Sequence, residues 1–227
     1  MKITKEGIAV IERDTHISKW IEEHGRLDFD HNMLPRILPH IKQGSVIIDV
    51  GAYIGDTTEA LRSKGIVHAF EPNPEAFECL KYNMQGKDVV CRNIALSDHV
   101  HGYSVVIPNE NFGMATIQFE TQKASCEGIT NTIDQYCLDY GIIPNVCKID
   151  AEGYELKILV GGFETIAKHK PILILEVNEP ALIAHGTSRA ELFEYLDKIG
   201  YIYSDIYGEP LEKLHTQFDI ICYAKSN

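Results

Sequence analysis

Val46-Ile47-Ile48-Asp49-Val50-Gly51-Ala52-Tyr53-Ile54-Gly55-Asp56-Thr57-Thr58 and, a little further on, Val67-His68-Ala69-Phe70-Glu71-Pro72 decide the fold. The apolar, β-branched run predicts a strand that delivers the backbone to a Gly-punctuated turn, and the polar Asp56-Thr57-Thr58 opens a helix. A second strand then ends in an acid. Glu71 comes twenty residues after Gly51. That interval suits one helix and one strand, so the carboxylate returns beside the first turn, where a ribose diol can donate hydrogen bonds to it. Turn, helix start and spaced acid together describe a nucleotide-type cofactor site.

Position 53 separates the possible cofactors. Nicotinamide and flavin sites favour G-x-G-x-x-G, whose second Gly lets the backbone approach a pyrophosphate, and that place is Tyr53 here. The spacing Asp49-x-Gly51-x-x-x-Gly55, with Glu71-Pro72 closing the second strand, resembles motif I of class I S-adenosylmethionine-dependent methyltransferases. The resemblance implies S-adenosylmethionine as cofactor. Its amino-acid tail would lie along Asp49, Gly51, Ala52, Tyr53 and Gly55 with Thr57 at the helix start, and its ribose on Glu71, next to Pro72 and Asn73. Ala95, Ser97 and Asp98 fall where this class lines the adenine. The other reading of the turn is a structural βα connection in some other α/β protein.

At 227 residues the chain is expected to form one domain that buries roughly 70–75% of its unfolded surface. Thirty-three acids against 21 bases, a net charge of −12, argue against a nucleic-acid partner, because no basic run tracks phosphates. MKITKEGIAV lacks the apolar core of a secretory signal, and no apolar run approaches the ~18 residues of a membrane span. The expectation is a soluble, cytoplasmic protein. Six cysteines, at 79, 91, 126, 137, 147 and 222, form no C-x-x-C pair or zinc-type cluster and read as reduced apolar fillers.

Residues 1–43 read as a helical preface, with helices near Thr15–Glu23 and Asn32–Lys42, and 44–227 as the main domain. Such a preface would pack across the cofactor mouth, where His16, His24 or His31 either faces substrate or stays solvated. Helices are expected at Thr57–Ser63, Pro74–Asn83, Tyr154–Gly161 and Arg189–Ile199, and Ile129-Thr130-Asn131-Thr132-Ile133-Asp134 leads into a short helix ending near Gly141. Strands are expected at Ile66–Phe70, Val89–Asn93, Val146–Ile149, Ile172–Val177, Tyr201–Asp205 and Phe218–Ala224. Tyr103–Ile107 and Asn109–Phe119 read as an inserted hairpin or loop region. Continuous apolarity in the buried strands means that both faces are covered. The fold class is therefore α/β: a seven-stranded, mostly parallel, Rossmann-like sheet with helices on both faces and, from the closing strand pair, an antiparallel edge.

A second constellation, Lys148-Ile149-Asp150-Ala151-Glu152-Gly153-Tyr154-Glu155, ends the expected fourth strand. IDVGAYIGDTT, AFEPNP, NIALSD, NTIDQY, CKIDAEGYELKILVGG and PILILEVNE occur in the order and spacing of FkbM-like methyltransferases, over roughly residues 45–180. This resemblance implies O-methylation of a hydroxyl on a sugar, glycolipid or small natural product, and hence a small-molecule or glycan acceptor. Tyr53 departs from it, since the family commonly has a small amide there. By residue chemistry, Asp150 and Glu152 emerge at carboxyl ends of central strands, where open α/β sheets place ligands, and can align a hydroxyl and take its proton; Asp150 is the first candidate for contacting the acceptor or the cofactor's ammonium, with Glu152 second. The bland reading is that Glu152-Gly153-Tyr154 starts a helix with acids at its positive end.

Asp150, Glu176 and Asn178 form an all-oxygen set at the ends of neighbouring strands, suited to Mg²⁺, with hydrogen bonding to loops as the alternative role. His185, after the fifth strand, is the most attractive imidazole base or else a solvated loop residue. Lys148 shares the strand face of Asp150 and reads as its ion-pair partner. Phe112, Met114 and Phe119 line either a pocket or a subunit contact, and the oligomeric state is left open. Two further readings stand beside the methyltransferase. A nicotinamide oxidoreductase is weakened by Tyr53 and by the lack of a Tyr-x-x-x-Lys pair, and a non-catalytic cofactor-binding or docking domain would require Glu71 or Asp150 to be blocked.

Overall fold

The Val46–Val50 run forms most of strand β3 (Ser45–Val50), numbered after β1 (Lys2–Ile3) and β2 (Ala9–Val10) in the preface. The computed structural model describes residues 1–27, 33–107, 111–118, 127–207 and 215–225. His31, Phe119 and Cys126 lie outside these.

From β3 the chain turns at Gly51 into helix α3 (Asp56–Leu61), after α1 (Ile17–His24) and α2 (Leu34–Ile37) of the preface. Strand β4 (Gly65–Phe70), helix α4 (Pro74–Asn83) and strand β5 (Val89–Arg92) follow. An insertion holds β6 (Gly102–Val106), β7 (Thr116–Gln118) and β8 (Glu127–Ile129), which pair as a separate three-stranded antiparallel sheet. Helix α5 (Ile133–Tyr140) returns the chain to β9 (Val146–Ile149). Helices α6 (Glu155–Gly161) and α7 (Phe163–His169) lead to β10 (Ile172–Asn178), and α8 (Glu179–Ala184) and α9 (Arg189–Lys198) to the closing strands β11 (Tyr201–Asp205) and β12 (Gln217–Ala224).

The main sheet has seven strands in the order β11-β12-β10-β9-β3-β4-β5. β10, β9, β3, β4 and β5 run parallel, and β12 pairs antiparallel with both β10 and β11. The antiparallel pairing thus falls at the expected edge, with β12 one place in and β11 outermost. Both faces are covered. Ile48, Val50, Phe70, Ile149, Leu173 and Leu175 pack beneath α5, α6, α7 and α9, while Ile47, Val67, Val146 and Ile174 pack with Leu34, Ile37, Leu61 and Leu80 on the other face.

Local chemistry explains the helix limits. Pro74 sits in the first turn of α4 and Asn73 caps it by accepting from the Glu75 N–H at 3.0 Å. Thr132 caps α5, which stops at left-handed Gly141. The helix expected over Asn32–Lys42 is shorter: α2 ends at Ile37 and a 3₁₀ turn follows over Leu38–His40, because Pro39 has no N–H to continue the α pattern. The preface also holds the β1–β2 pair, and α7 and α8 occupy stretches where no helix was expected. No helix among the described residues is long and apolar enough to cross a membrane.

Candidate functional site

A cavity of about 340 Å³ opens at the carboxyl ends of β3, β4, β9 and β10, where parallel sheets of this kind expose their ligand sites. One half is built by the Gly51 turn, the end of β4 and the Ile94–Leu96 segment. The other is built by Asp150, Glu152 and Glu176.

The turn is held from behind by its own neighbours. Gly51 has φ +77°, and a Cβ there would lie 1.7 Å from the carbonyl oxygen of Asp150, so the ends of β3 and β9 approach more closely than a side chain permits. Gly55 has φ +97°, and a Cβ would press on Met84 and Leu80, letting α3 start against α4. The two glycines are therefore required by the protein's own packing. Glu71 is buried, with Oε2 accepting from the Tyr53 N–H at 2.9 Å and Oε1 from the Asn73 N–H at 2.7 Å. Burial pushes its carboxyl up to about 7 despite those two bonds.

The expected donor-side residues divide. Gly51, Tyr53, Thr57, Glu71, Pro72, Ala95 and Asp150 line the cavity, joined by Asp56, Ile94 and Leu96. Asp49, Ala52, Gly55, Asn73, Ser97 and Asp98 do not. Asn73 is spent on capping α4. The Ser97 hydroxyl donates to Asp98 Oδ1 at 3.0 Å, and that oxygen also meets His99 Nδ1 at 2.8 Å. A bridge between Leu96 and Asn131, with Asn131 N–H bonded to the Ala95 carbonyl, instead turns Ala95 and Leu96 toward the cavity.

Asp49 lies beneath the floor, fully buried, accepting from the Thr58 hydroxyl at 2.6 Å. Its carbon backbone is in register with Lys148 across the β3–β9 pair. Lys148 Nζ lies 3.7 Å from Asp49 Oδ1, 3.3 Å from Asp150 Oδ2 and 3.4 Å from the Gly51 carbonyl oxygen. The expected ion pair is thus a buried lysine that ties two acids and the turn together. Burial raises the Asp49 carboxyl, with Lys148 and Thr58 opposing the rise.

Glu152 has φ +50°, a backbone state that an L side chain rarely adopts, and lines the cavity. Burial and then the neighbouring Asp150 and Glu155 carboxylates raise its carboxyl to about 8. The loop is held by Glu155, fully buried, whose Oε1 accepts from the Ala151 N–H at 2.9 Å and the Gly153 N–H at 3.2 Å. A Cβ at Gly153 would strike the Ala181 carbonyl oxygen at 2.3 Å, so α8 presses on the other side. Glu176 points to the cavity, with its Oε1 accepting from Gln217 Nε2 at 2.5 Å. Burial and three nearby carboxylates drive its carboxyl far above the ordinary range.

Two expectations are corrected. Asn178 does not line the cavity beside Asp150 and Glu176: its Oδ1 caps α8 by accepting from the Ala181 N–H at 3.3 Å. His185 is not on the cavity wall. Its ring lies 4.5 Å from that of Tyr154 and its Nε2 is 3.0 Å from Thr116 Oγ1, so it stands behind two residues that do line the wall. Burial, then Lys157, lowers its pKa.

The roof comes from the preface and the insertion. His16 and Ile17 line the cavity, as do Phe112 and Met114. His24 instead stacks on Trp20. Tyr53 donates its hydroxyl to Asp14 Oδ2 at 2.7 Å, and the same carboxylate accepts from the His16 and Ser18 N–H groups. The Tyr53 side chain is thereby drawn out toward the preface. Asp14, Gln217 and Glu155 had no sequence reading. The acid four residues after Ala151 could have suggested Glu155 as a loop clamp, whereas the other two reach the site only through tertiary packing.

Comparisons with known proteins agree with this architecture. The profile of the methyltransferase FkbM domain matches residues 49–203. A hexuronic acid methyltransferase, AglP of Haloferax volcanii, is 31% identical over 190 residues, covering 75% of this chain and 72% of the relative. A methyltransferase FkbM crystal structure from Methylobacillus flagellatus superposes with a TM-score of 0.55 at 17% identity, over 79% of this chain and 43% of that one. This chain therefore spans less than half the length of that protein. A TehB-like S-adenosylmethionine-dependent methyltransferase from Corynebacterium glutamicum shares the fold at a TM-score of 0.53 and 11% identity, over 92% and 94% of the two chains. With its Gly turn, its spaced Glu71 and a sheet of this strand order, the chain belongs to the FkbM family of S-adenosylmethionine-dependent methyltransferases.

Proposed function

We propose that this protein transfers the methyl group of S-adenosylmethionine to an oxygen of a sugar or sugar-like acceptor, most simply a hydroxyl. The observation that carries the reading is the continuity of one cavity from Glu71 and the Gly51 turn to the Asp150 and Glu152 carboxylates. Glu71 suits the ribose, since its two backbone partners leave lone pairs for two hydroxyl donors. Asp150, half-buried beside Gly51, suits the ammonium of the donor's tail. The curated relative's hexuronic acid acceptor supports a glycan as substrate class.

Methyl transfer is an in-line displacement: the sulfur–methyl bond breaks as the oxygen–methyl bond forms, the thioether leaves neutral, and the acceptor proton must go to a base. Glu152 is assigned that proton, because it lines the cavity and its loop is fixed on both sides by Glu155 and α8. His185 and Thr116 position the loop: Thr116 Oγ1 also lies 3.4 Å from the Glu152 carbonyl oxygen. Five free cysteines among the described residues, four of them buried, suit a cytoplasmic setting.

The test is turnover on a panel of neutral and acidic glycans with labelled S-adenosylmethionine, for the wild type and Glu152→Gln. The variant should lose about 10²- to 10⁴-fold in kcat while binding S-adenosylhomocysteine normally. Equal turnover by the two proteins would remove Glu152 from the role. Donor binding with no transfer to any oxygen acceptor would return the non-catalytic reading.

A further inference from the structure

One carboxylate oxygen from each of Asp150, Glu152 and Glu176 lies within 4.8 Å of the other two. Grouped acids alone mean little, but Glu176 is only 8% exposed and its Oε2 has no hydrogen-bond partner among the described residues. A buried carboxylate oxygen without a partner is costly unless something positive or protic meets it. Gln217 fixes the other oxygen of the same carboxylate. The positive charge nearby is already engaged: Lys148 is the one Lys or Arg among the described lining residues, and its Nζ is shared by Asp49, Asp150 and the Gly51 carbonyl.

We infer that Asp150, Glu152 and Glu176 bind one divalent, oxygen-preferring cation of the Mg²⁺ or Mn²⁺ class that holds the acceptor, an inference that rests on the methyltransferase reading above. All three donors are carboxylates, with no imidazole or thiolate in the set, which selects a hard cation. Cation–oxygen distances of roughly 2.0–2.6 Å allow ligand oxygens on opposite sides to stand about 4–5 Å apart. Two consequences follow for the acceptor. A hydroxyl bound to the cation gives up its proton more readily, so the carboxylate that receives it need not be a strong base. An acidic sugar, which three carboxylates would otherwise repel, can enter by bridging to the ion.

A second group, Asp98, His99 and His101, lies outside the cavity, has no unpartnered buried atom and serves as the control. The experiment titrates the full chain with MnCl₂, following free Mn²⁺ by electron paramagnetic resonance, alongside calorimetric titration with S-adenosylhomocysteine. The expected result is one saturable Mn²⁺ per chain, weakened at least tenfold in Glu176→Gln and in Glu152→Gln and unchanged in His99→Ala, with S-adenosylhomocysteine affinity retained throughout. Glu152→Gln, at a half-buried position and read by Mn²⁺ binding instead of turnover, decides the matter if Glu176→Gln does not fold. Absence of saturable Mn²⁺ binding, or binding that survives the glutamate variants and is lost in His99→Ala, would overturn the cation site. S-adenosylhomocysteine binding without Mn²⁺ binding removes the cation alone, whereas loss of both in the wild type counts against the methyltransferase reading itself.

Discussion

The carbonyl oxygen of Asp150 occupies the place that a Cβ on Gly51 would fill, 1.7 Å from it. The end of β9 is thus seated directly on the turn after β3, and the Gly-turn half and the acid half of the cavity share one backbone contact. Gly51→Ala has no local escape, because φ is +77° and the obstructing atom is main chain. Calorimetry should find S-adenosylhomocysteine binding abolished, and a thermal melt should fall by several degrees. Wild-type affinity in the alanine variant would show that β9 can withdraw without consequence.

Glu71 makes a pH prediction. Its carboxyl is raised to about 7 by burial, so the folded chain holds a proton there that the unfolded chain, near 4.5, has already released. The folded state binds more protons across this window, and the contribution to stability falls as pH rises from about 4.5 to 7. On the proposed placement of the ribose, its hydroxyls bond more strongly to the ionised carboxylate, so donor affinity should move the opposite way, dropping as pH falls below 7. Glu71→Gln should flatten both profiles, measured as melting temperature and as S-adenosylhomocysteine affinity from pH 5 to 8. A variant that keeps the wild-type slopes would assign them to other acids.

Tyr53→Phe removes the hydroxyl that donates to Asp14. A buried bond to a charged acceptor contributes about 1.5–3 kcal/mol, and its loss leaves Asp14 with its bonds to the His16 and Ser18 N–H groups. The expected outcome is a loss of that order by urea unfolding, with faster amide exchange across residues 9–21. Exchange that speeds up uniformly along the chain would argue that Tyr53 does not anchor the preface in particular.

Asn73→Ala separates capping from cofactor contact. The side chain accepts from the Glu75 N–H and is not on the cavity wall, so the substitution should cost about 1 kcal/mol in denaturant unfolding. Donor affinity should stay within about twofold of the wild type, because the bond to Glu71 comes from the Asn73 backbone. A tenfold loss of affinity at unchanged stability would place the side chain on the ligand after all.

Much of this was legible in the sequence because it is local. Continuously apolar strands interleaved with amphipathic helices pointed to a doubly covered sheet, the Gly51–Gly55 turn and Glu71 marked one half of the cavity, and Lys148 two positions before Asp150 announced their pairing. The misreadings arose where one residue type can do two jobs at the same spacing. Asn178 has the parity of Glu176 but its amide caps α8, as Asn73 caps α4, and Ser97 and Asp98 satisfy each other instead of a ligand. Single-chain periodicity does not distinguish a polar side chain that meets a backbone N–H from one left for substrate.

What the sequence determined by itself is therefore the fold, the family and the two constellations at strand ends, since these depend on hydrophobic period and on residues close in the chain. Tertiary structure alone decided which carboxylates converge and what holds them. Glu176 and Gln217 meet across the β10–β12 pair, Tyr53 reaches Asp14 across the preface, and His185 is parked behind Thr116 and Tyr154. Those contacts depend on strand order and register, which are set by the packing of both sheet faces at once and so leave no mark at any single position of the chain.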